Sequence, residues 1–404
     1  MKLLFITTQF PYPADNGGKI GALNGISVVS RKCEVTVLSF TEEDDLIQEG
    51  LEYFKREFPN VVFLSPIRHD IHIRKKPLKL AKVMMQNYLK NIPYVAMKFK
   101  NKEMFEMIDQ NFCEGQYWDL VFIDYLNMNI YADYIRGKYR SQFNKMIFKD
   151  HNLEYEIVKQ ESDSSSGLKK AILSFEWKRT LRYEVKAIAA ADLTFSVCQS
   201  NREFLAQYNS CAWTMLPTYK ISSVRRELST ENSIFYMGNL SWKPNMEGVS
   251  WFVEKVLPLI REQIPDATLT IVGSGPNEKL FCEVDGVNYR GYVKDISEIY
   301  SDMKVFIVPL FEGSGIRIKI LEAFDNEIAV VSTSLGCKTI MAEHGRELFI
   351  ADQEKEFADA VNRLLEDNEI NRCMTKAAKS FLECNFSLQA RQTEFENIID
   401  HVIE

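Results

Sequence analysis

Short apolar runs recur along the chain, each closed by Gly, Pro, Asn or Asp and each followed by a stretch with helical spacing. Runs at 3–7, 34–40, 61–65, 120–124, 145–148 and 193–197 read as strands. Their continuous apolar character, without alternation, predicts strands buried on both faces, as in a parallel sheet. A helix from about Ile20 to Ser30 joins the first two strands. That βαβ opening carries a turn-rich loop, 11–19, with Gly17 and Gly18 at the strand's C-terminal end, where open α/β sheets bind ligands. The alternation restarts after about residue 230, with strands at 233–236, 268–272, 288–290, 305–309 and 329–332. Helical runs at 245–263, 294–302, 317–325 and 354–368 separate them. Two successive α/β halves predict two Rossmann-like domains with a cleft between them. Pro217 breaks the pattern within a linker at 216–223, which divides the chain into 1–217, 218–385 and a C-terminal helix, 386–404. The tail from 371 onward reads as helical throughout and is expected to return to the first domain, while Asp163–Gly167 (DSSSG) is the candidate mobile loop.

Length and composition narrow this picture. A chain of 404 residues exceeds one ordinary core, and two domains of about 200 residues are the default. With 46% apolar and 26% charged residues the composition is globular. A net charge of −7 and a pI of about 5.6 argue against general nucleic-acid binding. The eight cysteines are scattered without a CxxC pair, which fits reduced thiols better than a disulfide frame or a zinc site. The N-terminal apolar run is too short for a signal peptide, and no window reaches the ~18 apolar residues of a membrane span. A cytoplasmic protein, able to lie peripherally on the inner face of the membrane, is expected.

The chemistry concentrates at 309–324, PLFEGSGIRIKILEAF. A buried strand empties into Gly313, Ser314 and Gly315, then Ile316 and a helical pattern carrying Arg317, Lys319 and Glu322. Glycines let a backbone approach a ligand, and a helix N-terminus offers free N–H groups to phosphate. Two cations there counter a diphosphate, and a carboxylate beyond them accepts from sugar hydroxyls. The bland alternatives are solvated helix charges for Arg317 and Lys319 and a dipole-favoured helix Glu for Glu322.

Taken with GNLSWKPN (238–245) and IVGSGP (271–276), this stretch resembles the group 1 (family 4) glycosyltransferases of the GT-B fold, in the bacterial subset with the signature G-x-R-x-K-x-L-E-A. The resemblance implies a retaining, metal-independent transferase that moves a sugar from a UDP- or GDP-linked donor, without a cofactor, to a saccharide or lipid-linked acceptor in cell-surface polysaccharide or glycoconjugate synthesis. It assigns Arg317, Lys319 and Lys243 to the diphosphate, Glu322 to the ribose, and His151, in DHNLE, to the donor sugar and acceptor. Gly17, Gly18, Gly238, Asn239, Gly273, Ser314, Gly315 and Ile316 would complete the donor site. The bland readings are a surface Lys for Lys243, a loop His for His151 and plain turns for Gly17-Gly18 and Gly273-Ser274-Gly275. Three departures stand out. Ser314 occupies the place of the family's first Glu, Asn239 that of an Arg, and Glu327 that of a Gly. They keep two other readings open: a sugar-nucleotide epimerase on the same scaffold, and a catalytically silent partner protein. The segment 68–102 is strongly basic, with Asp70 its lone acid, and reads either as a membrane-surface helix or as a solvated one.

Overall fold

The structure is a computed structural model that describes residues 1–42, 45–70, 92–113, 115–222, 227–275, 281–293, 296–313 and 317–403. The chain forms two compact units, Met1–Thr218 with Arg391–Glu404, and Tyr219–Ala390.

The first unit is built on seven parallel strands, β1 (Lys2–Ile6), β2 (Glu34–Leu38), β3 (Val61–Phe63), β4 (Trp118–Asp124), β5 (Phe143–Asp150), β6 (Leu193–Ser196) and β7 (Ala212–Thr214), in the order β3-β2-β1-β4-β5-β6-β7. Successive side chains enter opposite cores, which is why these strands read as unbroken apolar runs. Leu3, Phe5, Phe122 and Ile147 pack on one face with Ile26 and Val29 of helix α1 (Gly17–Val29). Leu4, Ile6, Val121 and Phe148 enter the other core. Each fully buried aliphatic or aromatic side chain contributes roughly 1.5–3 kcal/mol.

Helix α1 starts three residues earlier than the pattern suggested. Asn16 is its N-cap, and its side-chain oxygen accepts from the Lys19 backbone N–H at 3.0 Å. Gly17 and Gly18 are therefore helical rather than part of a free loop. Helices α2 (Glu154–Asp163) and α3 (Gly167–Ala190) form a hairpin. The expected mobile loop is its tight turn, held by Ser164 N–H to Gln160 O and Ser165 N–H to Ser162 O.

The second unit has six parallel strands, β8 (Ser233–Met237), β9 (Thr268–Val272), β10 (Val287–Gly291), β11 (Val305–Val308), β12 (Ala329–Ser332) and β13 (Phe349–Ile350), in the order β10-β9-β8-β11-β12-β13. Helices α4 (Lys243–Trp251) and α5 (Ile318–Asp325) follow β8 and β11. In both sheets the strand order reverses direction beside the opening strand, so the switch points lie at the ends of β1 and β4 and of β8 and β11.

The tail is two helices, α6 (Asn368–Phe386) and α7 (Leu388–Ile403). Ser387 is extended (ψ 148°) and breaks the run. Phe395, Ile398 and Ile399 of α7 join the first unit's core beside Ile26 and Phe195. Lys32 pairs with Asp400, and Gln392 donates to Ser27 O at 2.9 Å. The expected basic amphipathic helix falls within 71–91, outside the described residues. Among the described residues no helix is long and apolar enough to cross a membrane, and no group of three or more His, Cys, Asp or Glu could hold a metal.

Candidate functional site

In the second unit, β11 runs into Pro309, Leu310, Phe311, Glu312 and Gly313, and the chain re-enters α5 through Arg317. Ser314, Gly315 and Ile316 lie outside the described residues. Gly313 has φ +113°, and a Cβ there would stand 2.6 Å from the Trp242 ring and 3.0 Å from Arg317 Nη2. Both the backbone and its neighbours therefore require glycine.

Arg317 is buried, with its guanidinium 5.7 Å from the centre of the Trp242 ring, and burial lowers its pKa. Lys319, one residue into α5, donates to Met237 O at 3.2 Å and to Asn245 Oδ1 at 3.3 Å, 5.0 Å from the Tyr236 ring centre. Burial, then the nearby Arg317 charge, brings its pKa down to about 8. Among the described residues no ion pair neutralises it. Glu322, one turn on, accepts from the Tyr300 hydroxyl at 3.5 Å, and burial raises its pKa against the opposing pull of Tyr300 and Lys319. Two cations and a carboxylate thus share one strand–helix junction at a sheet switch point.

Gly238 and Gly273 pack backbone to backbone. Gly273 has φ +146°, a Cβ on it would drive into Gly238 O, and Gly238 N–H bonds Val272 O at 3.0 Å. Asn239 closes the turn, its side chain accepting from Ser241 N–H and its carbonyl from the Asn245 amide, both at 2.9 Å. Lys243 is solvent-exposed and pairs with Glu247 at 3.3 Å, so it stands apart from the buried Lys319 environment. Trp242, Tyr236, Asn245 and Tyr300 were not picked out from the sequence. Trp242 and Asn245 lay inside GNLSWKPN, where a Trp two residues before a Pro was the available signal.

In the first unit, His151 follows β5 and is buried. Its Nε2 lies 2.6 Å from Asp124 Oδ1 at the end of β4, and its ring stacks on Tyr125 at 3.7 Å and 6°. Asp124 also accepts from Thr7 at 2.8 Å, and Lys149 Nζ lies 3.8 Å from it while donating to Gly21 O at 3.2 Å. Burial alone would raise the Asp124 pKa, but His151 and Lys149 outweigh it and hold the carboxylate ionised. Burial and Lys149 lower the His151 pKa, so the neutral ring donates from Nε2 and Nδ1 keeps its lone pair. Tyr125 holds φ +79°, and its hydroxyl reaches toward Gly18 O at 3.4 Å. A Cβ on Gly18 would stand 2.6 Å from the Gln9 amide, and Gly17 has open space around it. Of this cluster the sequence had singled out only His151, Gly17 and Gly18. Asp124 was legible as an acid closing an apolar run, a position that places it at the switch point.

Beneath His151, Asp150 is fully buried, and burial followed by Glu184 and Glu154 raises its pKa well above the ordinary range. Glu184 accepts from the Glu154 and Tyr155 backbone N–H groups at 2.8 and 3.2 Å at the start of α2, and burial pushes its pKa up to about 8.

Comparison with known proteins gives the following. Residues 231–367 match the family described as Glycosyl transferases group 1. An uncharacterized 44.6 kDa protein in the cps region of Klebsiella pneumoniae is 26% identical over 373 residues, covering 88% of this chain and 89% of that protein. Among solved structures, the lipopolysaccharide outer core galactosyltransferase WaaB in its apo form superposes with TM-score 0.61 at 13% identity, over 99% of each chain. HepE of Anabaena in complex with UDP does so with TM-score 0.60 at 12% identity, over 99% of this chain and 100% of that one. The fold is GT-B, two Rossmann-like domains.

Proposed function

We propose, from the GT-B fold and the group 1 match over 231–367, that this chain is a retaining glycosyltransferase. It would move a sugar from a UDP- or GDP-linked donor to a saccharide or lipid-linked acceptor in bacterial cell-surface polysaccharide synthesis. The similarity to a protein of a Klebsiella cps region supports that setting, and HepE, with its bound UDP, supports a nucleotide donor.

The observation that carries the reading is Lys319. A buried ammonium held, among the described residues, by two neutral oxygens and an aromatic ring is costly unless an anion completes its shell. Arg317, adjacent and buried, supplies the second positive charge for a diphosphate. Glu322, oriented by Tyr300, is set to accept from ribose hydroxyls. In this proposal the two cations stabilise the leaving nucleoside diphosphate, the role otherwise filled by a metal. The anomeric carbon–oxygen bond breaks with its electron pair passing to the diphosphate. The acceptor hydroxyl attacks from the same face, and its proton goes to the departing phosphate oxygen. His151 Nδ1, held by the Asp124 bond, would position a sugar hydroxyl rather than act as a nucleophile. Lys243 remains a proposed outer contact for the phosphates, and 68–102 a proposed membrane-facing segment.

A thermal-shift screen over UDP- and GDP-sugars, followed by a transfer assay with lipid-linked and free saccharide acceptors, tests this. A stabilising donor and transfer with retained anomeric configuration are expected. The absence of any shift, or inversion at the anomeric centre, would contradict the proposal.

A further inference from the structure

Tyr125, directly after β4, holds φ +79° and ψ 143°. That region is essentially restricted to glycine, and a bulky residue found in it is a genuine outlier. We infer that Tyr125 is a positioning residue for His151: its ring, held on a strained backbone, fixes the plane of the imidazole. The inference rests on the glycosyltransferase reading above, which sets His151 Nδ1 against a sugar hydroxyl.

The strained conformation is imposed from both sides. On one side, Tyr125 N–H donates to Lys149 O at 3.0 Å and continues the β4–β5 pairing. On the other, Met128 N–H donates to Tyr125 O at 3.0 Å and closes a single turn over Leu126–Met128. Leu126 and Met128 are fully buried in the core, and the Asn127 amide donates to Val95 O at 2.9 Å. The chain must therefore reverse at residue 125. A glycine would meet that demand without steric conflict. The bland reading, strain as a by-product of the turn, accounts for the backbone and leaves the tyrosine side chain unexplained.

The side chain supplies what the bond to Asp124 lacks. The χ2 well of a histidine is broad, so one hydrogen bond from Nε2 to Asp124 Oδ1 leaves the ring free to rock. The Tyr125 ring lies flat against the imidazole, 3.7 Å and 6° apart, and stops that motion. Gly21 of α1 completes the arrangement. A Cβ there would stand 2.7 Å from His151 Cε1, 2.9 Å from Nδ1 and 3.2 Å from the Tyr125 hydroxyl. Glycine lets the helix pass this edge of the stacked pair without displacing it, and Nδ1 bonds no described residue. Charge favours the same arrangement. Burial, then Asp124, raises the Tyr125 pKa, so a neutral phenol lies on the ring, while burial and Lys149 keep His151 neutral.

The test uses the full chain, with imidazole nitrogen NMR on histidine-labelled protein and turnover of UDP-glucose, UDP-galactose, UDP-N-acetylglucosamine and GDP-mannose. Tyr125→Gly suits the backbone and removes the ring, so it should stay folded in urea melts and keep the wild-type nucleotide affinity. Its turnover should fall about tenfold or more, in kcat rather than KM, since a misplacement of about 1 Å can cost ~100-fold. Tyr125→Phe, which retains the stack, should recover most of that loss. With His151→Ala already present, Tyr125→Gly should cost less than about twofold, because the two residues act as a unit. The His151 nitrogens, assigned by their absence in His151→Ala, should give sharp signals of a single Nε2–H form in the wild type and in Tyr125→Phe. Tyr125→Gly should broaden them. Full turnover in Tyr125→Gly, no recovery in Tyr125→Phe, a loss undiminished in the His151→Ala background, or sharp His151 signals without the ring would each overturn the inference. The expected spectra from a chain that turns over none of these donors would support the positioning role and count against the transferase reading instead.

Discussion

Replacing Lys319 by methionine should separate stability from nucleotide binding, moving them in opposite directions. The folded protein lowers the Lys319 pKa from 10.5 to about 8, chiefly through burial. By linkage that depression is worth ~3 kcal/mol, to order of magnitude, against the ammonium. The sign is that of a base with a lowered folded pKa. The unfolded chain holds the proton more tightly, so the cost is fully present below pH 8 and fades as pH rises from 8 toward 10.5. Methionine fills similar space without a charge, at the loss of the bonds to Met237 O and Asn245 Oδ1. Urea denaturation at pH 7 should therefore find Lys319→Met as stable as wild type or more so. Nucleotide affinity should fall, because a charge-assisted bond is worth about 1.5–3 kcal/mol, or ~10- to 150-fold in Kd. The wild type adds a second signature. With the free-state pKa at about 8, a bound diphosphate should pull a proton onto Lys319, so calorimetric affinity for UDP or GDP weakens ~tenfold from pH 7 to pH 9. Lys319→Met should lose that slope. Destabilisation with undiminished nucleotide binding, or a slope that persists in the variant, would refute the reasoning.

Three further outcomes are expected. Gly313→Ala must place a Cβ against Trp242 and Arg317 at φ +113°, a strain of roughly 1–3 kcal/mol, and should displace both side chains and weaken nucleotide binding, read by calorimetry and tryptophan emission. Asp124→Asn leaves Lys149 buried without its carboxylate partner and should lower unfolding stability by about 3 kcal/mol in urea; unchanged stability would show that Lys149 is compensated elsewhere. Glu184, with its folded pKa raised from 4.5 to about 8, contributes stability that is fully present below pH 4.5 and lost as pH rises through 8. A pH series of urea melts should show wild-type stability falling between pH 5 and 8, and Glu184→Gln should flatten that fall.

Much of the scaffold was legible because parallel strands buried on both faces leave unbroken apolar runs. The strands Thr268–Val272 and Ala329–Ser332 match the pattern residue for residue. The short edge strands Ala212–Thr214 and Phe349–Ile350 were not, since two or three residues carry no period. Asn16 moved the start of the first helix through a capping bond whose partner is a backbone N–H, invisible to a hydrophobic pattern. At the site, Arg317, Lys319 and Glu322 were readable from one contiguous motif. Tyr300, Tyr236 and Trp242 were not, because their relation to those residues arises only when β8 and β11 pair and bring distant segments together. Asp124 and His151 meet for the same reason, 27 positions apart in sequence but at the C-terminal ends of adjacent strands.

The return of α7 makes the second unit an insertion within the first. Residues 219–390 are held at both ends, while the first unit is assembled from two separated pieces of chain. On a ribosome the order of completion is therefore inverted. The inserted unit has its whole sequence available before Phe395, Ile398 and Ile399 emerge to seal a core begun at Leu3. Until then Ile26, Val29 and Phe195 lack part of their cover, so a chain stalled short of residue 395 would present an open apolar face to chaperones while its inserted half is already folded.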